Sequence, residues 1–464
     1  MSLIQDIKRT PRAGLLAGIA AAAVGIIYGY DSSNIGGALL FLKDEFRLDD
    51  AGLGLVTTTV VIGEVLGALL GGMLANKLGR KLSMVLVAAG YALFALLSGL
   101  TPNLEVLVAA RLFLGLTVGV SIVVVPVFVA ESSPAKIRGA MLVAYQVATV
   151  FGIILGYLVA WALSDAGAWR WMLGLAAIPS LLVFFLVLRI PDTSRWYVMK
   201  GRLEEARTTL ANIEPEADVD REIADMQAAL SEEKGGALKE MLRKPYLRAT
   251  VFVVILGFFI QITGINAIVY YSPILFKSMG FEGNAAILGL PALVQAVALV
   301  AVFISLSLVD RVGRRPILLG GIAMMIAANV LLVGVFIAGG SSFGGILTAL
   351  GFIGVLLFTV GFTFGFGALV WVYAGESFPA RLRSIGSSVM LTSDLVANVI
   401  VGFLFLPMLS GLGGTGTFLV FGLLALAAFL FVYKFAPETK GKNLEDIRQF
   451  WENGGRWEPK EGVR

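Results

Sequence analysis

Asp31, Glu64, Arg111 and Asp394 are ionisable side chains set inside long apolar stretches, where their available chemistry is the pairing and exchange of charge. Asp31 closes the run YGYD, with Tyr28 as an aromatic neighbour, and Arg111 stands in AARLFLGLTVG. An ion at membrane depth is costly, so such groups usually face a cavity and pair. Desolvation opposes the charged form of Asp31, and a neighbouring Arg111 opposes the neutral form. An arginine that moves could therefore switch the carboxyl between binding and releasing a proton. A static pair joining two helices is the alternative. Glu64, shortly before GALLGG, reads as a structural or cavity-edge group where close helix packing is expected. Asp394 either binds hydroxyl groups or titrates as a second proton site. A further polar set interrupts FFIQITGINAIVYYSPILF: Gly264 loosens the helix, so that Gln261 and Asn266 can face one cavity, with Tyr270 and Tyr271 following.

These groups need scaffolding that only a bilayer-spanning chain supplies. The 464 residues are 58% hydrophobic and 15% charged, against about 25% charged in a typical soluble domain. With no Cys and no His, thiolate and imidazole chemistry is excluded, and no metal or cofactor is expected. Net charge is only +4, which gives nucleic acid no foothold. About twelve apolar runs long enough to cross about 30 Å of hydrocarbon begin near Gly14, Ala51, Leu82, Leu104, Gly139, Trp171, Leu247, Ala285, Ile317, Phe343, Ser384 and Thr417. Runs of this kind predict an all-α integral membrane protein of twelve transmembrane helices. Residues 1–191 are read as one six-helix bundle, 192–246 as a charged cytosolic linker with short surface helices, 247–437 as a second bundle, and 438–464 as a cytosolic tail. The linker is either a tether or a gating latch. Alternate loops concentrate Lys77, Arg80, Lys81, Lys136, Arg138, Arg311, Arg314, Arg315, Arg381 and Arg383, which places them and both termini on the cytoplasmic side.

The two halves repeat one another. NKLGRK after span two returns as DRVGRR after span eight, ESSPAKIRG after span four as ESFPARLRS after span ten, and PDTSRW after span six as PETKGK after span twelve. Ordered motif pairs at matching topological places mark parallel repeats, a transporter architecture. The set closely resembles the sugar porter family of the major facilitator superfamily, and in particular its bacterial proton-coupled monosaccharide symporters, over nearly the entire chain. The resemblance implies two bundles around a central cavity, alternating access, and a monosaccharide and a proton as cargo. It matches Asp31 and Arg111 to the acid and arginine of proton-coupled members. It matches Gln146, Gln261, Asn266, Trp371 and Asn398 to sugar-binding positions; Tyr28, three residues before Asp31, and Asp394 join them as candidate substrate contacts. Arg80, Glu131, Arg138, Arg314, Arg315, Glu376 and Arg383 become a salt-bridge network between the bundles that closes the inner side. The chain departs from the family at Ile260, Ala298 and Leu395, where relatives commonly carry Gln, Asn and Trp, and at Asp394, where a neutral amide is usual.

The expected function is therefore proton-coupled import of a monosaccharide or related polyol across the cell membrane, with a monomer a plausible state. A facilitative uniporter with a structural Asp31 is the nearest alternative. A non-transporting sensor and a drug or organic-ion exporter fit the motifs and tail less well. No nucleotide-binding loop or nucleophile constellation supports an enzyme, so an ion gradient is the expected energy source.

Overall fold

The computed structural model describes the chain except residues 1–11, 134–137, 215–217, 233–236, 341–342, 379, 443 and 458–464. Among the described residues the regular structure is helical. The first six long helices are α1 (Arg12–Glu45), α2 (Asp50–Leu78), α3 (Arg80–Gly99), α4 (Leu104–Ser132), α5 (Arg138–Ser164) and α6 (Trp169–Leu188). Four short helices follow: α7 (Ser194–Met199), α8 (Leu203–Ile213), α9 (Val219–Glu232) and α10 (Ala237–Met241). The next span is split into α11 (Leu247–Ile262) and α12 (Ile265–Ser278). Then come α13 (Ala285–Val312), α14 (Arg314–Gly339), α15 (Ile346–Glu376), α16 (Ala380–Gly411), α17 (Gly413–Phe435) and α18 (Leu444–Glu452). Eleven described helices or helix pairs are long and apolar enough to cross a membrane, and α1 precedes them. Leu69, Met73, Trp171 and Leu182 are 62–67% exposed, a waste of apolar surface in water but the proper outer face of a helix in lipid.

The chain divides into two compact units, Met1–Glu233 with Gly283–Ala292, and Lys234–Glu282 with Leu293–Arg464. Within the first, α1 packs on α5, α3 packs on α4, and α3 packs on α6. Within the second, the equivalents recur: α11 on α16, α14 on α15, and α14 on α17. The repeat visible in the loops is thus also a repeat of helix pairing. Lipid gives no hydrophobic drive for helix association, so close van der Waals approach must supply it. On α2 and α4 this is done by Gly63, Gly67, Gly115 and Gly119, where a Cβ would come within about 2.2 Å of the facing backbone oxygens of Leu112, Leu116, Val60 and Glu64. Glu64 lies in this tight seam, 2% exposed. The linker helices form a small apolar nucleus of Val198, Ala206, Leu210 and Ile223.

The span that opens the second half breaks where its sequence suggests. Gly264 adopts φ 104°, a left-handed conformation closed to most side chains, and it ends one helix and begins the next. Any Cβ there would also meet the Phe421 ring of α17 at 2.9 Å. The break leaves Gln261 just before and Asn266 just after a kink in the same span.

Candidate functional site

In the first unit, α1 carries Asp31 and α4 carries Arg111 to a direct ion pair. Arg111 Nη1 donates to Asp31 Oδ1 at 2.8 Å, with the two side chains only 2% and 7% exposed. A charge-assisted bond at this depth is strong because water does not compete for either partner. The pair is set by anchors on either side. Tyr30 and Asn34 of α1 both donate to the Met172 carbonyl of α6, at 2.9 and 3.0 Å, and Tyr91 of α3 donates to the Ile27 carbonyl at 3.2 Å. Arg111 Nε is buried without an acceptor, so Asp31 is the principal counter-charge of the guanidinium. Tyr28 is half-buried on α1 and Gln146 half-buried on α5.

In the second unit, polar groups gather around the broken span. Asn266 Nδ2 and Asn398 Nδ2 both donate to the Tyr270 hydroxyl oxygen, at 3.1 and 3.0 Å. Gln261 Nε2 points at Asp394 Oδ2 across 3.5 Å. Asn398 is fully buried, and Asp394 and Gln261 nearly so. Gln261 Oε1 and Asn398 Oδ1 are buried with no donor. That is a site rich in amides and short of donors, the complement of a ligand that brings several O–H groups. Trp371 of α15 is 44% exposed, leaving indole surface open. Leu395 and Ala298, which stand in for a tryptophan and an amide of the family pattern, are buried as ordinary apolar groups. Tyr270, the hub that joins two helices through two amides, is a residue that sequence reasoning noticed without a role. Its position four residues after Asn266, one helical turn on, was the available signal.

The basic loops build a second arrangement, once in each unit. Arg80 grips Glu131 through Nε to Oε2 at 3.0 Å and Nη2 to Oε1 at 3.1 Å, and Thr193 donates to Glu131 at 2.6 Å. In the other unit Arg314 Nη2 lies 3.8 Å from Glu376. These described pairs lie inside a unit. Arg315 donates to the Tyr433 carbonyl, and Arg383 is half-buried with Nε lacking an acceptor. The side chain of Arg138 lies outside the described residues.

The repeat also contains two acids whose role the motifs did not disclose. Asp192 accepts from the backbone amides of Arg80 and Lys81 at 3.1 and 3.2 Å, and from Thr193 at 2.8 Å. Glu438 does the same for the amides of Arg314 and Arg315, both at 3.1 Å. Each acid closes the open N-terminus of a long helix, where unsatisfied N–H groups and the positive end of the dipole favour an anion. Gly79 and Gly313, at φ 102° and 110°, make room: a Cβ would stand 2.1 Å from Asp192 and 2.5 Å from Glu438. Burial raises the Asp192 carboxyl above the usual aspartate range despite its three amide donors, so it takes up a proton more readily than a solvated aspartate. Asp192→Ala, which strands those amides, is expected to cost about 1–3 kcal/mol and lower the unfolding temperature in detergent, while Asp192→Asn, which keeps an acceptor, recovers much of the loss. Unfolding of Asp192→Ala at the wild-type temperature would remove the cap from the account.

A family model described as sugar (and other) transporter matches residues 17–451. A putative metabolite transport protein of Bacillus subtilis, YwtG, is 35% identical over 426 residues, covering 92% of each chain. The galactose-proton symporter of Escherichia coli K12 is 35% identical over 430 residues, again covering 92% of each. Among solved structures, the partially occluded inward open xylose transporter XylE of E. coli superimposes with a TM-score of 0.81 at 24% identity, covering 93% of this chain and 99% of that one. The proton:xylose symporter XylE bound to 6-bromo-6-deoxy-D-glucose gives 0.79 at 25% identity, covering 95% and 99%. The fold is that of the major facilitator superfamily, and with a family match over nearly its whole length and extended identity to curated members, this chain belongs to the sugar transporter family: it is a multi-pass membrane transporter and not an enzyme.

Proposed function

We propose that the protein imports a monosaccharide or related polyol together with a proton, working in the plasma membrane with both termini in the cytoplasm. The observation that carries this reading is the buried Asp31–Arg111 pair at 2.8 Å. Protonation of Asp31 removes the charge that holds Arg111, frees the guanidinium to seek another acceptor, and lets the loaded carrier reorient without an unpaired carboxylate at membrane depth. Loss of the proton on the inner side restores the pair. Support comes also from relatives described as galactose-proton and arabinose-proton symporters.

In the second unit sugar hydroxyls are taken by Gln261, Asn266 and Asn398, with Asp394 beside them; in the first unit Gln146 is the hydroxyl partner. Trp371 offers its indole to the C–H face of the ring, and Tyr28 lines the approach to Asp31. Arg80, Glu131, Arg138, Arg314, Arg315, Glu376 and Arg383 are the inner-gate residues, and the described Arg80–Glu131 and Arg314–Glu376 pairs each hold their charges within one unit. The binding assignment is tested by Gln261→Ala: losing one buried hydrogen-bonding partner costs about 1–3 kcal/mol, so sugar affinity should fall by roughly tenfold or more in an equilibrium binding assay. Unchanged affinity would place the pocket elsewhere.

A further inference from the structure

Asp394 is a buried carboxyl in a setting opposite to that of Asp31. Where Asp31 meets a guanidinium at 2.8 Å, among the described residues the sole hydrogen bond to Asp394 is the long one from the Gln261 amide and no cation pairs with it. The helices packed against α16 bring titratable and charged groups, but at other levels or with other partners. On α11 the charge is Arg248, about 20 Å along the helix from Gln261. On α12 they are Tyr270, whose oxygen takes the two asparagine amides, Tyr271, which donates to the Gly402 carbonyl at 2.6 Å, and Lys277 in the last turn. On α15 they are Tyr373, which donates to the Pro437 carbonyl, and Glu376 beside Arg314. On α17 they are Tyr433 and Lys434 at the carboxyl end, and on α10 Lys239 and Glu240. On α16 itself Arg381 and Arg383 lie about 16 Å or more from Asp394 along the helix. Among the described residues no counter-charge is at hand.

The hydrogen-bond ledger of the cluster points the same way. Both asparagine amides spend a donor on the one Tyr270 oxygen, while Gln261 Oε1 and Asn398 Oδ1 have none. An ionised Asp394 would add further acceptors to a group already short of donors. A protonated one supplies the missing O–H. A buried charge without a partner is far more costly than a hydrogen-bonded neutral acid.

We infer that Asp394 is a second proton-binding acid, separate from the coupling pair, whose protonated form donates a hydrogen bond to a polyol substrate and so makes substrate affinity depend on pH. The inference rests on the symport reading for its substrate class. The consequence has a definite sign: affinity is full when Asp394 holds its proton and falls as pH rises through its titration, by up to about tenfold per pH unit for one linked proton. Asp394→Asn keeps a neutral N–H donor and has no proton to lose, so it removes this dependence.

The test is equilibrium binding of radiolabelled D-galactose, D-xylose, L-arabinose and D-glucose to purified protein in nanodiscs, from about pH 5 to about pH 9, with no gradient. The expected result is that Asp31→Asn still loses affinity as pH rises, and that adding Asp394→Asn flattens the profile. Difference infrared spectra provide a second readout: a protonated-carboxyl band present in Asp31→Asn should vanish when Asp394→Asn is added. A flat profile in Asp31→Asn alone, a slope that survives in the double variant, or a band unaffected by Asp394→Asn would overturn the inference while leaving symport intact. Absence of saturable binding of all four sugars to the wild type at every pH would overturn the sugar reading, and this one with it.

Discussion

Asp31→Asn is expected to bind sugar and to exchange it across a membrane, yet to lose the ability to concentrate it. The substitution fixes α1 in the charge state of the protonated carrier, and the amide oxygen remains as an acceptor for Arg111 Nη1, which now stands 2.8 Å from Asp31. With nothing to titrate at position 31, the carrier moves sugar without the coupled proton. The size of the loss follows from the driving forces. One proton per sugar draws on about 2.3 kcal/mol for each 100 mV and about 1.4 kcal/mol for each pH unit. Under about 100 mV and one pH unit the wild type can accumulate sugar by roughly five-hundredfold at the limit, whereas the variant should stop near equal concentrations. Uptake of labelled sugar into proteoliposomes under an imposed gradient reads this directly. Accumulation at the wild-type level would remove Asp31 from the coupling.

The largest loss of stability is expected from breaking the same pair on one side. Arg111→Leu leaves the Asp31 carboxylate in a setting where its side chain is 7% exposed, and an uncompensated buried ion typically costs about 3–5 kcal/mol. Replacing both partners removes both desolvation costs together. The double variant Asp31→Asn with Arg111→Leu should therefore unfold in detergent much closer to the wild type than Arg111→Leu alone. Such non-additivity is the signature of two groups acting through one contact. Purely additive losses would mean that α1 and α4 are held together by their packing and that the pair contributes no coupling energy.

Much of this arrangement was legible because membranes restrict what a sequence can do. Uninterrupted apolar runs leave helices as the sole economical reading, and a charge inside such a run demands a partner; the resemblance to proton-coupled sugar porters singled out Asp31 for Arg111, 80 positions away in the sequence. The break at Gly264 was equally open to inspection, since a glycine between two amides in a span has few other uses. What escaped was whatever depends on which loops meet. Nothing local in PDTSRW or PETKGK says that the acid will reach back to cap a helix begun about a hundred residues earlier. The positive φ of Gly79 and Gly313 that permits it is a property of the folded chain. The role of Tyr270 was hidden for a related reason: its two amide partners come from α12 and α16, and only their packing brings them to one oxygen. Asp394, by contrast, was visible as an anomaly whose meaning required the absence of a cation around it, a fact about neighbours that a residue type does not encode.

Coupled symport requires that sugar and proton move together in one direction. The most direct measurement uses wild-type proteoliposomes with no pH gradient and no membrane potential, a dye reporting external pH, and a sugar gradient directed inward as the only source of free energy. Coupled symport predicts that addition of the transported sugar alkalinises the external medium, that an osmotically matched non-substrate does not, and that Asp31→Asn abolishes the signal while sugar still enters. Sugar entry at full rate with no proton movement in the wild type would contradict the account and identify the protein as a facilitative uniporter.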